Sequence, residues 1–437
     1  MKNVKSIFRI SILILVLISN SLYAKVGDVS DKFEKTFKIS DTDKLELGMY
    51  DSDLQINTWA NSEIKLTGEI VISGGDKEDI EKLLNAFKNP EVNQGDGRIE
   101  IDTRFSEGMI TVLGIYKKLK LINGGNVSIT SYKASYTIWV PEKIAFKLVS
   151  KYNSIKSANL LGSLDFELYN VNLDMGDFGD NSKFDIKYST INAGKGKDAK
   201  FEIYDSKVYA VEMNKIIVDS KYSRLNCKSV NLVVLESYND DFDFDNLNGI
   251  DIDAKYTKLN AKGNANLGKF NLYDCNIDVE NFKKIEFDSK YSELNANAVG
   301  EFSIKTSYND TYEVKEVSDF SCQDSKYNKF QIGLVNSSIN LPDTYDTQFT
   351  VNKCGSGFTS FKGEFKYGDV KLTFDPLVTI NLEFESTYGD ITFPKDKFKK
   401  PFTSISGDTK TQFEGSTDAN AKCSIKFKTY DTKFTIE

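Results

Sequence analysis

The stretch IEFDSKYSELNA, residues 285–296, alternates strictly: Ile285, Phe287, Ser289 and Tyr291 share one face, and Glu286, Asp288 and Lys290 share the other. A period of two with Ile, Phe and Tyr on one side describes a half-buried β-strand, because successive side chains of an extended chain point to opposite faces. Ser292 follows as a turn former, and Leu294 restores an apolar position three residues after the tyrosine. The unit is therefore a strand, a bend at or just after Tyr291, and a second short strand. Copies recur as FKLVSKYNSIKSA from Phe146, FDIKYSTINA from Phe184, IIVDSKYSRLNC from Ile216, IDIDAKYTKLNA from Ile250 and FKYGDVKL from Phe365. A second set lies between them: FELYNVNL from Phe166, FEIYDSKVYAV from Phe201, LESYNDDFDF from Leu235, FNLYDCNIDV from Phe270 and IKTSYNDTYEV from Ile304.

The anchoring tyrosines, from Tyr152 to Tyr388, follow one another at 16 to 22 residues, usually 17 or 18, and the two sets mostly alternate, so the true repeat is expected to be a pair of about 35 residues. One unit cannot bury its own apolar face, whereas stacked units share a continuous interior. The expected fold is all-β: a single-stranded β-solenoid, most simply a parallel β-helix, with right-handed coiling favoured by the general handedness of parallel crossovers. An antiparallel meander is the alternative.

The outward positions repeat as well. Lys precedes the tyrosine at Lys187, Lys221, Lys255, Lys290 and Lys326; Asp stands three before it at Asp185, Asp219, Asp253, Asp288 and Asp324; Asn stands four after it at Asn192, Asn226, Asn260 and Asn295. In-register stacking would set these as rows on one flank. Asp and Lys two apart on a strand face compensate each other's charge, and an Asn row can bridge rungs at a corner. The functional alternative is a polar strip for extended glycans, made of those five lysines with Asn226, Asn260 and Asn295. The tyrosine ladder itself reads as core or corner stacking before it reads as a sugar platform. NDDFDFDNLNGIDID is the densest acidic stretch, and Asp241, Asp243, Asp245, Asp251 and Asp253 are its Ca²⁺ candidates, although the EF-hand spacing is absent. Carboxylate pairs can also serve glycoside cleavage, but a repeat supplies such pairs everywhere. GKGKD at 194 and GSG at 355 precede no helix, so a phosphate-cradling loop is not expected.

Lys2, Lys5 and Arg9, the apolar run from Ile10 to Ile18, and SNSLYA ending at Ala24 read as a cleavable export signal over residues 1–24, with a retained anchor as the alternative. Residues 25–145 depart from the repeat and are expected to form an N-terminal cap. It has strands and one helix within DKEDIEKLLNAFKN, with Asp76 or Asp79 at the start and Ile80, Leu83, Leu84 and Phe87 on one stripe. The solenoid is then assigned to residues 146–437, and its last unit, IKFKTYDTKFTIE, to a lysine-protected edge strand. Net charge is -8 from 56 basic and 64 acidic residues, with no basic block, which argues against nucleic acid as a partner. The chain has no His, so mechanisms that need an imidazole are excluded. Its five cysteines form no CxxC pair; buried free thiols are expected, with Cys227 and Cys275 at small apolar positions of the repeat.

Val140-Pro141 within TIWVPEKIAFKLVSKYNSIKSANLLGSLDFELYNVNL, the turns Tyr367-Gly368-Asp369-Val370 and Tyr388-Gly389-Asp390-Ile391, and the strand pair around Trp59 together resemble the DUF4097 family of adhesin-like β-strand-repeat proteins. The resemblance spans nearly the whole chain after residue 24. It implies a β-helical fold and export, and it implies no catalytic residue. The expectation is thus a non-enzymatic protein of the periplasm or cell surface. It would use no cofactor and would offer a binding or scaffold surface to an envelope or extracellular glycan or protein. The alternatives are a carboxylate-dependent polysaccharide-acting enzyme and a Ca²⁺-stabilised rod.

Overall fold

The computed structural model describes residues 27–40, 42–112 and 116–437, so the export signal expected over 1–24 lies outside the described residues. Among the described residues no helix is long and apolar enough to cross a membrane. The chain forms an all-β solenoid of stacked parallel strands, in two compact units. One unit reaches to Gly162 and takes in Asn170–Asn172; the other holds Ser163–Tyr169 and Leu173–Glu437.

In the first unit Glu63–Ser73 is flanked antiparallel by Val29–Lys38 and Ser131–Pro141. The strand Ala145–Ser157, whose sequence opens the repeats, runs parallel to Lys44–Tyr50 and then to Asp53–Trp59. Tyr50 lies beside Lys151, and positive φ falls on Asp51 and Tyr152. Among the described residues the one α-helix, α1 (Lys77–Lys88), starts where the Asp76 carboxylate accepts the Asp79 N–H at 2.8 Å, a side-chain N-cap. Its Ile80, Leu83 and Phe87 are buried, and the Phe87 ring sits 5.3 Å from both Phe33 and Tyr136. Gly68 makes that approach possible, since a Cβ there would stand 2.4 Å from Phe33 and 2.8 Å from Phe87.

In the second unit the strands Lys207–Lys221, Arg224–Tyr238, Asp241–Lys255, Lys258–Tyr273, Asn276–Lys290, Glu293–Tyr308 and Thr311–Lys326 are successive rungs, each parallel to the next. Within Arg224–Tyr238 the buried apolar residues are Leu225, Cys227, Val230, Val233 and Leu235, a spacing of two, three, three and two. Steps of two follow the pleat; each step of three marks a place where the strand turns and the inward face restarts. Each rung thus has two longer sides and a short third side closing around one apolar interior. Phe287, Phe302 and Phe320 stack there edge to face at 6.1 and 5.4 Å. All five cysteines are free and buried. Cys227 takes the place that Ala210 has on the preceding rung. Cys275 stands in a polar corner column, its Sγ within hydrogen-bonding reach of the Tyr273 carbonyl oxygen at 3.4 Å.

The end of the stack differs from the sequence expectation. The strand Cys423–Ile436 is not an edge. It runs parallel between Ser360–Phe374 on one side and Ile380–Thr387 with Asp390–Thr392 on the other. The antiparallel pair Lys410–Ser416 and Lys399–Ser406 then covers Ile380–Thr387. Spatial order here departs from chain order, which a repeat read along the sequence cannot register.

Candidate functional site

The bend that starts each rung is carried by a left-handed residue, and its identity alternates. Tyr188, Tyr222, Tyr256, Tyr291, Tyr327, Tyr367 and Tyr388 themselves have φ of 55–60°. On the intervening rungs the tyrosine stays extended, and the next residue, Asp205, Asn239, Asp274, Asn309, Asp346 or Asp431, takes φ of 44–58°. Asn and Asp visit this region readily; tyrosine does so at a cost. The register places Lys187, Tyr204, Lys221, Tyr238, Lys255 and Tyr273 in one column. The rings therefore alternate between two neighbouring columns. Identical rings in one column, about 4.8 Å apart, would be forced into the disfavoured face-to-face sandwich. Staggered, they meet edge to face instead, with centroids 5.2–5.8 Å apart and planes at 67–84° in an unbroken series from Tyr169 to Tyr388.

This ladder lies on the outside of the corner. Most of its rings are 37–60% exposed, with Tyr169, Tyr308 and Tyr345 half-buried. The expectation that Tyr291 shares the inward face of Ile285 and Phe287 is corrected: the left-handed residue resets the alternation and turns the ring outward. Corner stacking, the other half of that expectation, is what the rings do. Tyr430, in the unit read from the sequence as the last, fits between Tyr367 and Tyr388 at 5.6 and 5.7 Å, because its strand is the inserted one. After Tyr367 and Tyr388 the glycines serve close approach, since a Cβ on Gly368 would stand 2.6 Å from the Thr347 carbonyl oxygen.

Beneath the rings runs a buried polar column that secures the bends. The Ser206 hydroxyl accepts the Ser189 N–H at 2.9 Å and donates to the Tyr204 carbonyl at 2.7 Å; Ser223 repeats both bonds for the next rung at 3.1 and 2.8 Å. Two carboxylates occupy the same column. Asp240 accepts from the Ser223 N–H at 2.7 Å and the Ser237 hydroxyl at 2.7 Å. Asp310 accepts from the Ser292 N–H at 2.7 Å and from the Ser307 and Ser289 hydroxyls at 2.7 and 2.8 Å. Burial pushes both carboxyls above the ordinary range, against the pull of those bonds.

On the side leading into the ladder an outward column reads Glu167, Asp185, Glu202, Asp219, Glu236 and Asp253, a carboxylate on six successive rungs. The sequence showed only the Asp members. Lys187 pairs with Asp185 at 3.0 Å and Lys326 with Asp324 at 3.2 Å. Lys221, Lys255 and Lys290 fall at the same outward position, each between two tyrosines. The Asn row lies past the bend on the next side, so the expected single strip of Lys187, Lys221, Lys255, Lys290, Lys326, Asn226, Asn260 and Asn295 is split by the ladder. Asn260 and Asn295 donate to Asp243 and Asp278 of the preceding rungs at 3.2 and 2.9 Å, while the Asn226 Oδ1 is buried with no hydrogen-bond partner among the described residues. Amide-to-amide bridging occurs at a different corner: Asn266 to Asn248 at 2.5 Å, Asn248 to Asn231 at 2.7 Å and Asn231 to Asn214 at 3.4 Å.

The Ca²⁺ candidates do not converge. Asp241 pairs with Arg224 at 2.7 Å, Asp245 with Lys262 at 3.7 Å, and Asp253 accepts from Asn271 at 2.9 Å. Asp251 and Asp253 lie on a different side of the rung from Asp241 and Asp243. Among the described residues no group of three or more acidic or Cys side chains is placed to hold a metal ion.

Over the rungs of Tyr256 to Tyr327 both flanks of the ladder are shallowly concave. One hollow, of about 580 Å³, is lined by Asp251, Asp253, Lys269, Asn271, Glu286 and Asp288 among others. The other, of about 850 Å³, includes Asn260, Asp278, Glu280, Asn295, Glu313 and Gln331. The site is thus an exposed aromatic ridge between two polar troughs.

No family model matches the sequence, and no curated protein does. Solved structures with related arrangements include a candidate cell-adhesion protein from Clostridium sporogenes, at 9% identity and TM-score 0.17, covering 93% of this chain and 99% of its own. A candidate adhesin from Bacteroides fragilis shows 11% identity and TM-score 0.18, covering 93% and 97%. A candidate lipid-binding protein from Parabacteroides distasonis shows 12% identity and TM-score 0.23, covering 71% and 96%. Likenesses this distant lend no function to the chain.

Proposed function

We infer that the protein is a non-enzymatic, extracytoplasmic binding or scaffold protein, which presents one repetitive face to a component of the envelope or the cell exterior. The observation that carries this reading is the exposed tyrosine ladder. A solenoid needs its inward apolar residues, but nothing in the stacking of rungs requires an aromatic ring on the outside of every bend. Tyrosine offers a large, stiff, amphipathic contact area at low entropic cost and is enriched where proteins meet partners. The leader-like residues before Lys25 support export. Fractionating cells that express the protein, with and without protease on intact cells, tests the reading. Recovery outside the cytoplasm is expected, and a chain found only in the cytoplasm would sink it.

A further inference from the structure

We propose that the ladder between Tyr238 and Tyr327 is a docking track for one extended chain of neutral, β-1,4-linked sugars; this deepens the binding reading above and rests on it. Neighbouring rings here are turned 71–81° from one another and stand in two columns, so each column carries a ring on every second rung. Two rungs advance about 9.6 Å. The repeat of an extended β-1,4-linked disaccharide is of similar length, so every second sugar can meet a ring of the same column along several rungs. The C–H face of a pyranose packs on an aromatic ring, and its equatorial hydroxyls then point sideways. Both sides are prepared for them: the troughs present Asp253, Asn271 and Asp288 on one flank and Asn260, Asp278 and Asn295 on the other.

The charge pattern selects a neutral chain. Lys255, Lys290 and Lys326 beside the rings are interspersed with Asp274 at the bend and with Asp253 and Asp288 two residues before the lysines. Each trough carries four carboxylates against two lysines, an excess that turns away an anionic polymer. A peptide adding itself as a strand is disfavoured too, because every strand bordering this part of the ladder is already paired on both sides.

The test compares the purified protein with two triple variants at Tyr256, Tyr291 and Tyr327. Changing all three to Asn keeps a residue that suits the left-handed bend, as Asn239 and Asn309 do on neighbouring rungs, and removes the rings. Changing all three to Phe keeps the rings. Retention on cellulose and on chitin, and calorimetry with the soluble hexasaccharides of each, are the measurements; an unchanged β-sheet spectrum and melting midpoint verify the fold. Wild type and the Phe variant should bind at least one polymer, with affinity at least tenfold above the Asn variant, and binding should be insensitive to salt. Absence of retention on both polymers overturns the proposal, as does binding that survives the Asn changes or vanishes in high salt. An exported protein that ignores both polymers refutes the sugar track alone, whereas a cytoplasmic one refutes the binding reading beneath it.

Discussion

A tyrosine at φ near 57° carries a backbone penalty of about 1–2 kcal/mol that an asparagine largely avoids. Each left-handed ring from Tyr188 to Tyr367 offsets that penalty with two edge-to-face contacts, of about 0.5–1.5 kcal/mol each, and Tyr388 with one. Tyr256→Asn should therefore change stability little, while Tyr256→Val, which loses the ring and forces a β-branched residue into the bend, should cost about 1–2 kcal/mol more in denaturant unfolding. Asp310 shows the opposite economy, since its carboxylate occupies a buried place where Asn328 stands on the next rung. There the Asn328 Oδ1 accepts the Asp310 N–H at 2.8 Å and its Nδ2 donates to the Ser307 carbonyl at 3.0 Å. Asp310→Asn should be tolerated within about 1 kcal/mol, whereas Asp310→Ala strands the Ser292 and Tyr308 N–H groups and should cost about 3 kcal/mol. Because burial raises the folded-state pKa of Asp310, the fold holds that proton more tightly than the unfolded chain does. Its contribution is complete below the unfolded value of about 3.9 and declines as pH rises through the folded one. Asp310→Asn lacks this titration, so its stability relative to wild type should rise as pH climbs from about 3.9 through the raised folded-state value; a parallel pair of curves would refute the assignment.

For a strand, the neighbours decide. The six-rung carboxylate column sets like charges side by side at about 4.8 Å, which is unfavourable and screened by salt. Glu236→Gln should stabilise by a few tenths of a kcal/mol at low ionic strength, and the gain should shrink in high salt. The inserted strand makes a stronger demand. A chain ended after Lys422 leaves Ile380–Thr387 without its parallel partner, so limited proteolysis should cut within residues 375–422 far faster than in the intact protein. What the sequence made legible at this scale was the period: the pleat alone dictates that Ile285 and Phe287 face inward, and bend chemistry repeats with the rung. What it hid has physical causes. A left-handed residue reverses which side the next residue faces, which moved the tyrosines outward and parted the lysines from the asparagines. Pairing order in space leaves no trace in a period read along the chain. One signal was available, however: Tyr367 and Tyr388 belong to the same bend class, and two of one class cannot be adjacent in a staggered ladder. Tyr430-Asp431 is of the missing class.

For the whole molecule, stability comes from contacts between adjacent rungs rather than from one central core, as expected of solenoids. Ion pairs and amide bridges join the outward carboxylates to the rungs above and below, so a chelator should leave the melting midpoint unchanged. A marked drop would revive the Ca²⁺-stabilised rod. The inserted strand also sets an order of construction. Rungs up to Ser360–Phe374 can stack as they are synthesised, but residues 375–422 have no template until Cys423–Ile436 has been made and has settled onto Ser360–Phe374. Until then the newest rung remains an open, strand-shaped acceptor for any passing chain. Chain termination short of this segment would therefore leave a nucleus for polymerisation, and the arrival of Cys423–Ile436 covers that acceptor.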